Sequence, residues 1–154
     1  RVPKSILDVG YGDGSFLKVC NNIIPDCYGY DISTYPVPDG CTQVKDFMSD
    51  FYDVITFFDS LEHFEDIEFI RDLKCSAICI SVPHCHYKSD EWFENWKHRR
   101  PNEHLWHFDA QTLKTFMYRM GYVLVSSSNV EDTIRKNNKE ESNILTCVFK
   151  KVRV

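Results

Sequence analysis

Three glycines and two acids near the start of the chain have the types and spacing of a ligand-binding loop. The glycines are Gly10, Gly12 and Gly14. They follow a strand-like apolar segment that ends with Asp8, and Asp31 ends a second such segment at residues 27–31. Glycines allow a tight turn and a close approach of the backbone to a ligand. Because ligands of open α/β sheets bind at the carboxyl ends of the strands, both acids are expected beside one ligand.

The details of the loop indicate which ligand this is. A dinucleotide loop reads GxGxxG and would need Gly or Ala where the chain has Ser15, whereas the observed spacing is GxGxG. No GK[ST] follows, which excludes a P-loop. Asp8 suits a cation better than a pyrophosphate, and Asp31 can accept both hydroxyls of a ribose. Asp46 and Phe47, after a third strand-like segment, are placed to bind and pack against an adenine. The pattern indicates a ligand with an amino-acid cation, a ribose and an adenine.

Alternating strand-like and helical segments must position these residues. The apolar segments that read as strands are 5–9, 27–31, 42–46, 53–58, 76–82, 122–127 and 144–152. Helical periodicity marks residues 15–20, 66–73 and 110–120. This alternation predicts an α/β fold with a mostly parallel sheet and helices on both faces. The polar stretch 129–143 has no helical period, so we predict an exposed loop without chemistry there and an antiparallel last strand.

Composition narrows the class of protein. The 154 residues fit one domain spanning 1–154, and a start so near the first strand is compatible with a trimmed N-terminus. The net charge is −5, whereas domains that bind nucleic acid are typically basic, so nucleic acid is a disfavoured partner. No apolar run reaches the roughly 20 residues of a membrane span. The seven cysteines include no CxxC pair, which predicts a cytoplasmic protein without disulfides or a zinc knuckle.

Six histidines are predicted on loops at the ligand side of the sheet. His84 and His86 flank a cysteine and invite a metal, but residues two apart on a loop are poor chelators without further ligands. We therefore predict no metal site. Lys97 to Arg100 forms the one basic run, which suits an anionic acceptor such as a nucleotide-sugar, or simply a solvated loop.

Taken in order, these motifs resemble the class I S-adenosylmethionine-dependent methyltransferases. The resemblance rests on residues 8–16, on Asp31, on residues 52–63 with their Leu-Glu-His turn, and on residues 80–84 and 102–108 with a Glu-His-x-x-x-Phe segment. It covers nearly the whole chain. A subgroup with these two segments includes small-molecule and sugar methyltransferases. The ordered spacing of the motifs is far more specific than any one of them.

The resemblance implies a Rossmann-like sandwich of seven strands with an antiparallel last strand. It implies S-adenosylmethionine as cofactor, with the glycines around its methionine and ribose, Asp31 on the ribose, Asp46 and Phe47 around the adenine, and Phe58 and Asp59 on the methionine side. The predicted cofactor-binding residues are Asp8, Gly10, Tyr11, Gly12, Gly14, Asp31, Ile32, Asp46, Phe47, Phe58 and Asp59.

The resemblance also suggests where the methyl acceptor is activated. An oxygen or carbon acceptor must lose a proton, and histidine titrates in the useful range. In some sugar C-methyltransferases the Glu-His segment places a histidine near the acceptor, which makes His104 a candidate general base. The alternative, that Glu103 and His104 only anchor their loop, stays open. His63 is expected to brace the turn after the fourth strand.

The expected function is methyl transfer to a small-molecule acceptor, glycosyl or metabolite, at an oxygen or carbon atom. Two alternatives remain from the sequence. One is a domain of a larger assembly that binds the cofactor without transferring a methyl group. The other is a nucleic-acid or protein methyltransferase, suggested by Lys97 to Arg100. Oligomeric state cannot be inferred from the residues.

Overall fold

A seven-stranded sheet organises the computed structural model, which describes residues 2–33, 35–137 and 141–152. Its strands are β1 (Ser5–Val9), β2 (Asp26–Tyr30), β3 (Thr42–Gln43), β4 (Tyr52–Phe58), β5 (Cys75–Pro83), β6 (Tyr122–Ser128) and β7 (Ile144–Lys151). Their order across the sheet is β3-β2-β1-β4-β5-β7-β6. The chain reverses direction across the sheet after β3, between β1 and β4, where open α/β sheets bind their ligands.

Strand directions follow the predicted pattern. β1 pairs in parallel with β2 and β4, and β4 pairs in parallel with β5. β7 runs antiparallel to both β5 and β6. The predicted α/β sandwich with a mostly parallel sheet and an antiparallel last strand is therefore confirmed.

Short helices join the strands. They are the α-helices α1 (Ser15–Cys20), α2 (Asp90–Glu94), α3 (Ala110–Arg119) and α4 (Val130–Ile134), with 3₁₀ turns at Leu61–His63 and Glu68–Asp72. The predicted helix at 66–73 is thus only a 3₁₀ turn. Its buried residues Ile67, Ile70 and Leu73 recur every three positions, which is the 3₁₀ repeat and not the α-helical one.

Helix α3 forms for reasons visible in the sequence. Asp109 caps it: the carboxylate accepts from the Thr112 N–H at 2.7 Å, while the Thr112 hydroxyl accepts from the Asp109 N–H at 3.0 Å. Leu113 and Met117, one turn apart, are fully buried. Gly121, at φ 89°, ends the helix in a left-handed conformation that glycine adopts without strain.

The stretch 129–143 is not the featureless exposed loop that we predict from the sequence, although residues 138–140 lie outside the described residues. It contains α4, and Asp132 in that helix is 3% exposed. The Asp132 carboxylate accepts from the Asn143 N–H at 2.7 Å and from the Asn137 amide at 3.1 Å. Polar contacts hold this element, so the apolar periodicity that reveals a helix in a sequence is absent here.

The core lies on both faces of the sheet. Successive residues of β1 face opposite sides, so Ile6 packs with Leu17 and Cys20 of α1, while Leu7 packs with Ile55 and Phe57 in the larger cluster of the other face. None of the helices in the described part of the chain is long and apolar enough to cross a membrane. All seven cysteines are free thiols.

Candidate functional site

The glycine loop, residues 10–14, begins where β1 ends. Gly10 has φ 85° and donates its N–H to the Tyr30 carbonyl at 2.7 Å, which joins the loop to the end of β2. A Cβ at Gly10 would lie 2.6 Å from the Cβ of Ser60, so no other residue fits between the loop and the turn after β4. Gly14, at φ 77°, starts α1. The backbone here favours glycine for its conformation and, at both Gly10 and Gly14, for its packing, since a Cβ at Gly14 would lie 2.7 Å from the Pro38 ring.

Asp31 holds the loop from the neighbouring strand. Its carboxylate accepts from the Gly12 N–H at 2.8 Å and from the Ser33 N–H at 2.6 Å. Burial alone would raise the pKa of Asp31, but these backbone hydrogen bonds outweigh it and hold the pKa below its usual value. Asp31 is therefore an ionised hydrogen-bond acceptor at neutral pH, and it lies next to the backbone of the glycine loop at Gly12.

Asp8 occupies a different position from Asp31. It faces the α1 side of the sheet, is 3% exposed, and accepts a 2.6 Å hydrogen bond from the Thr56 hydroxyl of β4. Desolvation raises the pKa of Asp8 to about 6, more than the hydrogen bond from Thr56 lowers it. The structure thus places this carboxylate beneath the loop, between β1 and β4.

A cavity of about 510 Å³ opens between the ends of β1, β2 and β4. Five of the eleven predicted cofactor residues line it: Gly10, Gly12, Asp31, Ile32 and Asp59. The sequence analysis did not assign cofactor binding to the other residues that line it, which are Val9, Tyr30, Ser60, His63, Phe64 and Glu65. The loop, Asp31 and the turn after β4 are brought together as the spacing predicts.

The remaining predicted residues do not line this cavity. Phe47 packs on Tyr30, a cavity residue, with ring centroids 4.8 Å apart. Phe58 lies edge-on to Phe16 of α1, 4.8 Å between centroids. The others are Asp8, described above; Tyr11, which is buried behind Gly29; Gly14; and the exposed Asp46. Their assignment to the cofactor stays a prediction.

Two segments far apart in the chain meet beside the cavity. The Leu105 N–H donates to the Glu62 carbonyl at 2.8 Å, which docks the Glu-His-x-x-x-Phe segment on the turn after β4. His63 contacts the Glu103 carbonyl through Nδ1 at 2.8 Å, so it braces this turn as expected. His104 is 9% exposed and lies edge-on to His63, 4.7 Å between ring centroids. Its burial, and then the neighbouring His63, lower the pKa of His104.

Glu62 is the residue that sequence reasoning missed in this group. Its side chain is 1% exposed, and neither carboxylate oxygen has a hydrogen-bond partner in the described residues. Desolvation raises the pKa of Glu62 to about 7. The signal was present in the sequence as the glutamate of the Leu-Glu-His turn, but burial of a carboxylate on a loop is not visible there.

A second cavity of about 580 Å³ lies at the carboxyl end of β5 and the start of β7. Trp92 and Trp96 stack in its wall, with ring centroids 5.5 Å apart. His84 and His86 line it too, and both bind Ser142: His84 Nδ1 lies 2.5 Å from its hydroxyl and His86 Nε2 lies 2.7 Å from its carbonyl. We call residues 84–108, 129–137 and 141–143, which include the residues that line this cavity, the cover.

Arg135 links the cover to the first cavity. Its guanidinium pairs with the Asp59 carboxylate at 2.5 Å and with Glu131 at 3.1 Å. Asp59 has φ 49°, a left-handed conformation that is uncommon outside glycine and that turns the chain at the end of β4. The sequence analysis did not predict this contact between residues 129–143 and a wall residue of the cavity.

Comparison with known proteins gives the family. The family model described as a methyltransferase domain matches residues 1–127, so the chain belongs to that family. No curated protein sequence matches this chain significantly. Many solved structures share the fold.

Three of these structures illustrate the likeness. An S-adenosylmethionine-dependent methyltransferase from Mesorhizobium loti is 16% identical, with a TM-score of 0.70 over 97% of this chain and 94% of that chain. The 1,6-didemethyltoxoflavin-N1-methyltransferase of Burkholderia thailandensis, with S-adenosylhomocysteine bound, is 15% identical, with a TM-score of 0.72 over 98% and 72%. The plantazolicin methyltransferase BpumL, also with S-adenosylhomocysteine, is 17% identical, with a TM-score of 0.67 over 99% and 78%.

Family and fold together define a class I methyltransferase that uses S-adenosylmethionine. The residues present fit this cofactor. Gly12 lines the cavity, and a Cβ at this position would meet nothing within 4 Å, so the backbone is open to a ligand there. Asp31 presents an ionised carboxylate next to it. The predicted class, a class I S-adenosylmethionine-dependent methyltransferase, is confirmed.

Proposed function

We propose that this chain transfers a methyl group to an oxygen or carbon atom of a small-molecule acceptor, glycosyl or metabolite. The observation that carries the proposal is the cavity where Gly10, Gly12, Asp31 and Asp59 meet, with His104 behind one of its walls. When bound, S-adenosylmethionine supplies an activated methyl group on a sulfonium. The work of the protein is then to align acceptor and donor and to exclude water.

Asp31 is the residue proposed to hold the ribose. Its position next to the Gly12 N–H means that one carboxylate both orders the loop and faces the cavity. Gly10 and Gly12 bring the backbone close to the cofactor. Ile32 lies at the rim of the cavity, with a side chain that is 93% exposed, and Asp59 borders the opposite wall. These roles follow from where the residues lie relative to the cavity.

His104 is proposed to act on the acceptor side. Nδ1 of His104 lies 2.8 Å from the His98 carbonyl, and because a carbonyl only accepts, Nδ1 carries the proton. Nε2 therefore holds the lone pair that a general base needs. His63, which lines the cavity, contacts the His104 ring. This places the base candidate one ring behind the cavity wall.

The cover supports a small acceptor. Its 580 Å³ cavity is within the size of small-molecule sites and has stacked tryptophans and a few polar groups. A sugar or a flat metabolite suits such walls. The net charge of −5 argues against a nucleic-acid acceptor, and seven free thiols support a reducing, cytoplasmic location.

The test measures binding of S-adenosylhomocysteine, the demethylated cofactor, by calorimetry. Asp31→Ala removes a charged acceptor, so we expect the dissociation constant to rise about 10- to 100-fold. Asp31→Asn keeps an acceptor for the Gly12 N–H and separates loop order from ribose binding. The exposed Asp72→Ala, on the opposite turn, is the matched control and leaves binding unchanged.

Two results would oppose the proposal. Equal affinity of wild type and Asp31→Ala would remove Asp31 from the cofactor site. Binding of S-adenosylhomocysteine without methyl transfer to any of a panel of glycosides, phenols and carbon acids would favour a non-catalytic binding domain. NAD is the negative ligand, since the loop spacing is not that of a dinucleotide site.

A further inference from the structure

The buried carboxylate of Glu62 is the least expected group in the molecule. It lies in the turn after β4, is 1% exposed, and neither of its oxygens is hydrogen-bonded within the described residues. Buried carboxylates in proteins are paired, hydrogen-bonded or bound to a metal, since an uncompensated one is costly. The groups next to Glu62 therefore decide what this carboxylate does.

Two imidazoles with the same protonation pattern lie next to Glu62. His63 and His104 each place Nδ1 2.8 Å from a backbone carbonyl, those of Glu103 and His98. Since a carbonyl only accepts, each Nδ1 donates, and in the neutral form of each ring Nε2 presents a lone pair. Histidines that bind metals typically have this arrangement, in which the other ring nitrogen donates to a carbonyl and fixes the ring.

The three side chains converge. One donor atom from each of Glu62, His63 and His104 lies within 4.8 Å of the other two. Around a tetrahedral ion with bonds of about 2.1 Å, ligand atoms are about 3.4 Å apart, so the group must close by roughly an ångström. The exposed side chain of His63 has the freedom to move, while the Leu105–Glu62 backbone hydrogen bond fixes the frame.

We propose that Glu62, His63 and His104 bind a divalent transition-metal cation at the border of the cofactor cavity. Two imidazoles and one carboxylate are a donor set for zinc, manganese or iron, and three protein ligands leave a coordination position open, as in catalytic sites. His84 and His86 are a weaker pair, since both are committed to Ser142 and no third ligand groups with them in the described residues.

The site also changes the expected role of His104, a step that rests on the proposed function. With Nε2 on the cation, His104 has no lone pair for a proton. The cation instead takes the acceptor oxygen and lowers its pKa, as metals do for bound water. The proton then leaves to solvent. The oxygen attacks the methyl carbon, and the bond between that carbon and the sulfonium sulfur breaks. His63 lines the cavity, so the open position is near the reacting groups.

Metal binding is tested first without any acceptor. Chelator-treated full-length chain is titrated with Mn²⁺ and Zn²⁺, and both affinity and thermal unfolding are recorded; Co²⁺ reports geometry through its visible absorption. We expect wild type to bind one equivalent and to gain several degrees in Tm. Glu62→Gln and the exposed His63→Ala should each bind at least about 10-fold more weakly. Because seven free thiols also take Zn²⁺, the difference between wild type and variant is the measured quantity.

The matched control is Glu68→Gln, an exposed glutamate on the next turn, which should bind like wild type. Equal metal affinity of wild type and Glu62→Gln, both folded, would overturn the site, as would the absence of any specific binding. S-adenosylhomocysteine affinity is measured on the same metal-free samples, so loss of the metal site and loss of the cofactor site are separate results. Methyl transfer that survives chelation but not His104→Ala would overturn the metal's catalytic role and favour the general base.

Discussion

The floor and the cover of this site are built in different ways. The floor consists of the glycine loop, Asp31 and the turn after β4. It is fixed by hydrogen bonds to the loop backbone and by close contacts that glycine permits at Gly10 and Gly14. In the cover, side chains make many of the tertiary contacts: His84 on Ser142 and His98 on Asn143 hold its segments together, and Arg135 on Asp59 joins it to the floor beside the Leu105–Glu62 backbone hydrogen bond. A floor of this kind positions one cofactor, whereas the cover depends on individual side chains and can differ between acceptors.

This difference predicts where substitutions have the largest effect. In the floor, geometry leaves little freedom, so small changes should affect both stability and cofactor affinity. In the cover, exposed ion pairs and hydrogen bonds should give small and local effects.

The largest expected effect is that of Gly10→Ala. The new methyl group would lie 2.6 Å from the Cβ of Ser60, at φ 85°. We expect a loss of about 2–5 kcal/mol of unfolding free energy from the left-handed conformation and the overlap together. Chemical denaturation and S-adenosylhomocysteine titration measure both consequences.

Gly121→Ala is the control for Gly10→Ala. Its φ is 89°, but a Cβ there meets nothing within 4 Å, so the substitution tests conformational strain alone. We expect a cost of about 1–2 kcal/mol and unchanged cofactor affinity. Equal costs for the two variants would mean that the contact with Ser60 relaxes freely.

A pH-dependent effect of intermediate size is expected at Asp8. Its pKa in the folded protein is about 6 because of desolvation, against 3.8 ordinarily. The folded state binds the proton of Asp8 more tightly than the unfolded state does. The contribution of this group to the free energy of unfolding is therefore fully present below about pH 4 and is lost as the pH rises through about 6. Two pKa units correspond to about 3 kcal/mol.

Asp8→Asn tests this by keeping an acceptor for Thr56 without a charge. Above pH 7 the variant should be more stable than wild type by up to about 3 kcal/mol, and near pH 4 the two should be equal. Urea unfolding at both pH values gives the difference, in which the other titrating groups cancel. Parallel curves at all pH values would contradict a raised pKa. A weaker affinity of the variant for S-adenosylhomocysteine would support the predicted contact of Asp8 with the cofactor.

The smallest effect is expected for Arg135→Ala, which separates floor and cover. The pair with Asp59 is partly exposed on both sides, so its loss should cost about 0.2–1 kcal/mol. Hydrogen exchange should increase in α4, while cofactor affinity changes less than about threefold. The exposed Arg119→Ala on α3 is the control. A large loss of cofactor affinity would show that the cover helps to hold the cofactor.

The sequence predicts the floor well and the cover poorly. The glycine spacing and Asp31 are read from short contiguous segments, whose geometry is local. The sequence predicts the wrong type of helix at Ile67, Ile70 and Leu73, because over two turns a three-residue repeat resembles an α-helical one. Helix α4 escapes prediction because Asp132, and not an apolar face, attaches it to Asn143, the residue before β7.

By itself the sequence determined the strand alternation, the GxGxG loop and its acids, because backbone preferences and period-two burial are properties of neighbouring residues. Only the tertiary structure decided that Glu62 and His63 meet His104, and that Arg135 reaches Asp59, 76 positions away. Such contacts exist because the strand order β1-β4-β5-β7 brings four loops to one edge of the sheet. The contact partners of these loop residues cannot be read from the sequence, because the sheet, and not the chain that joins two loops, sets the distance between them.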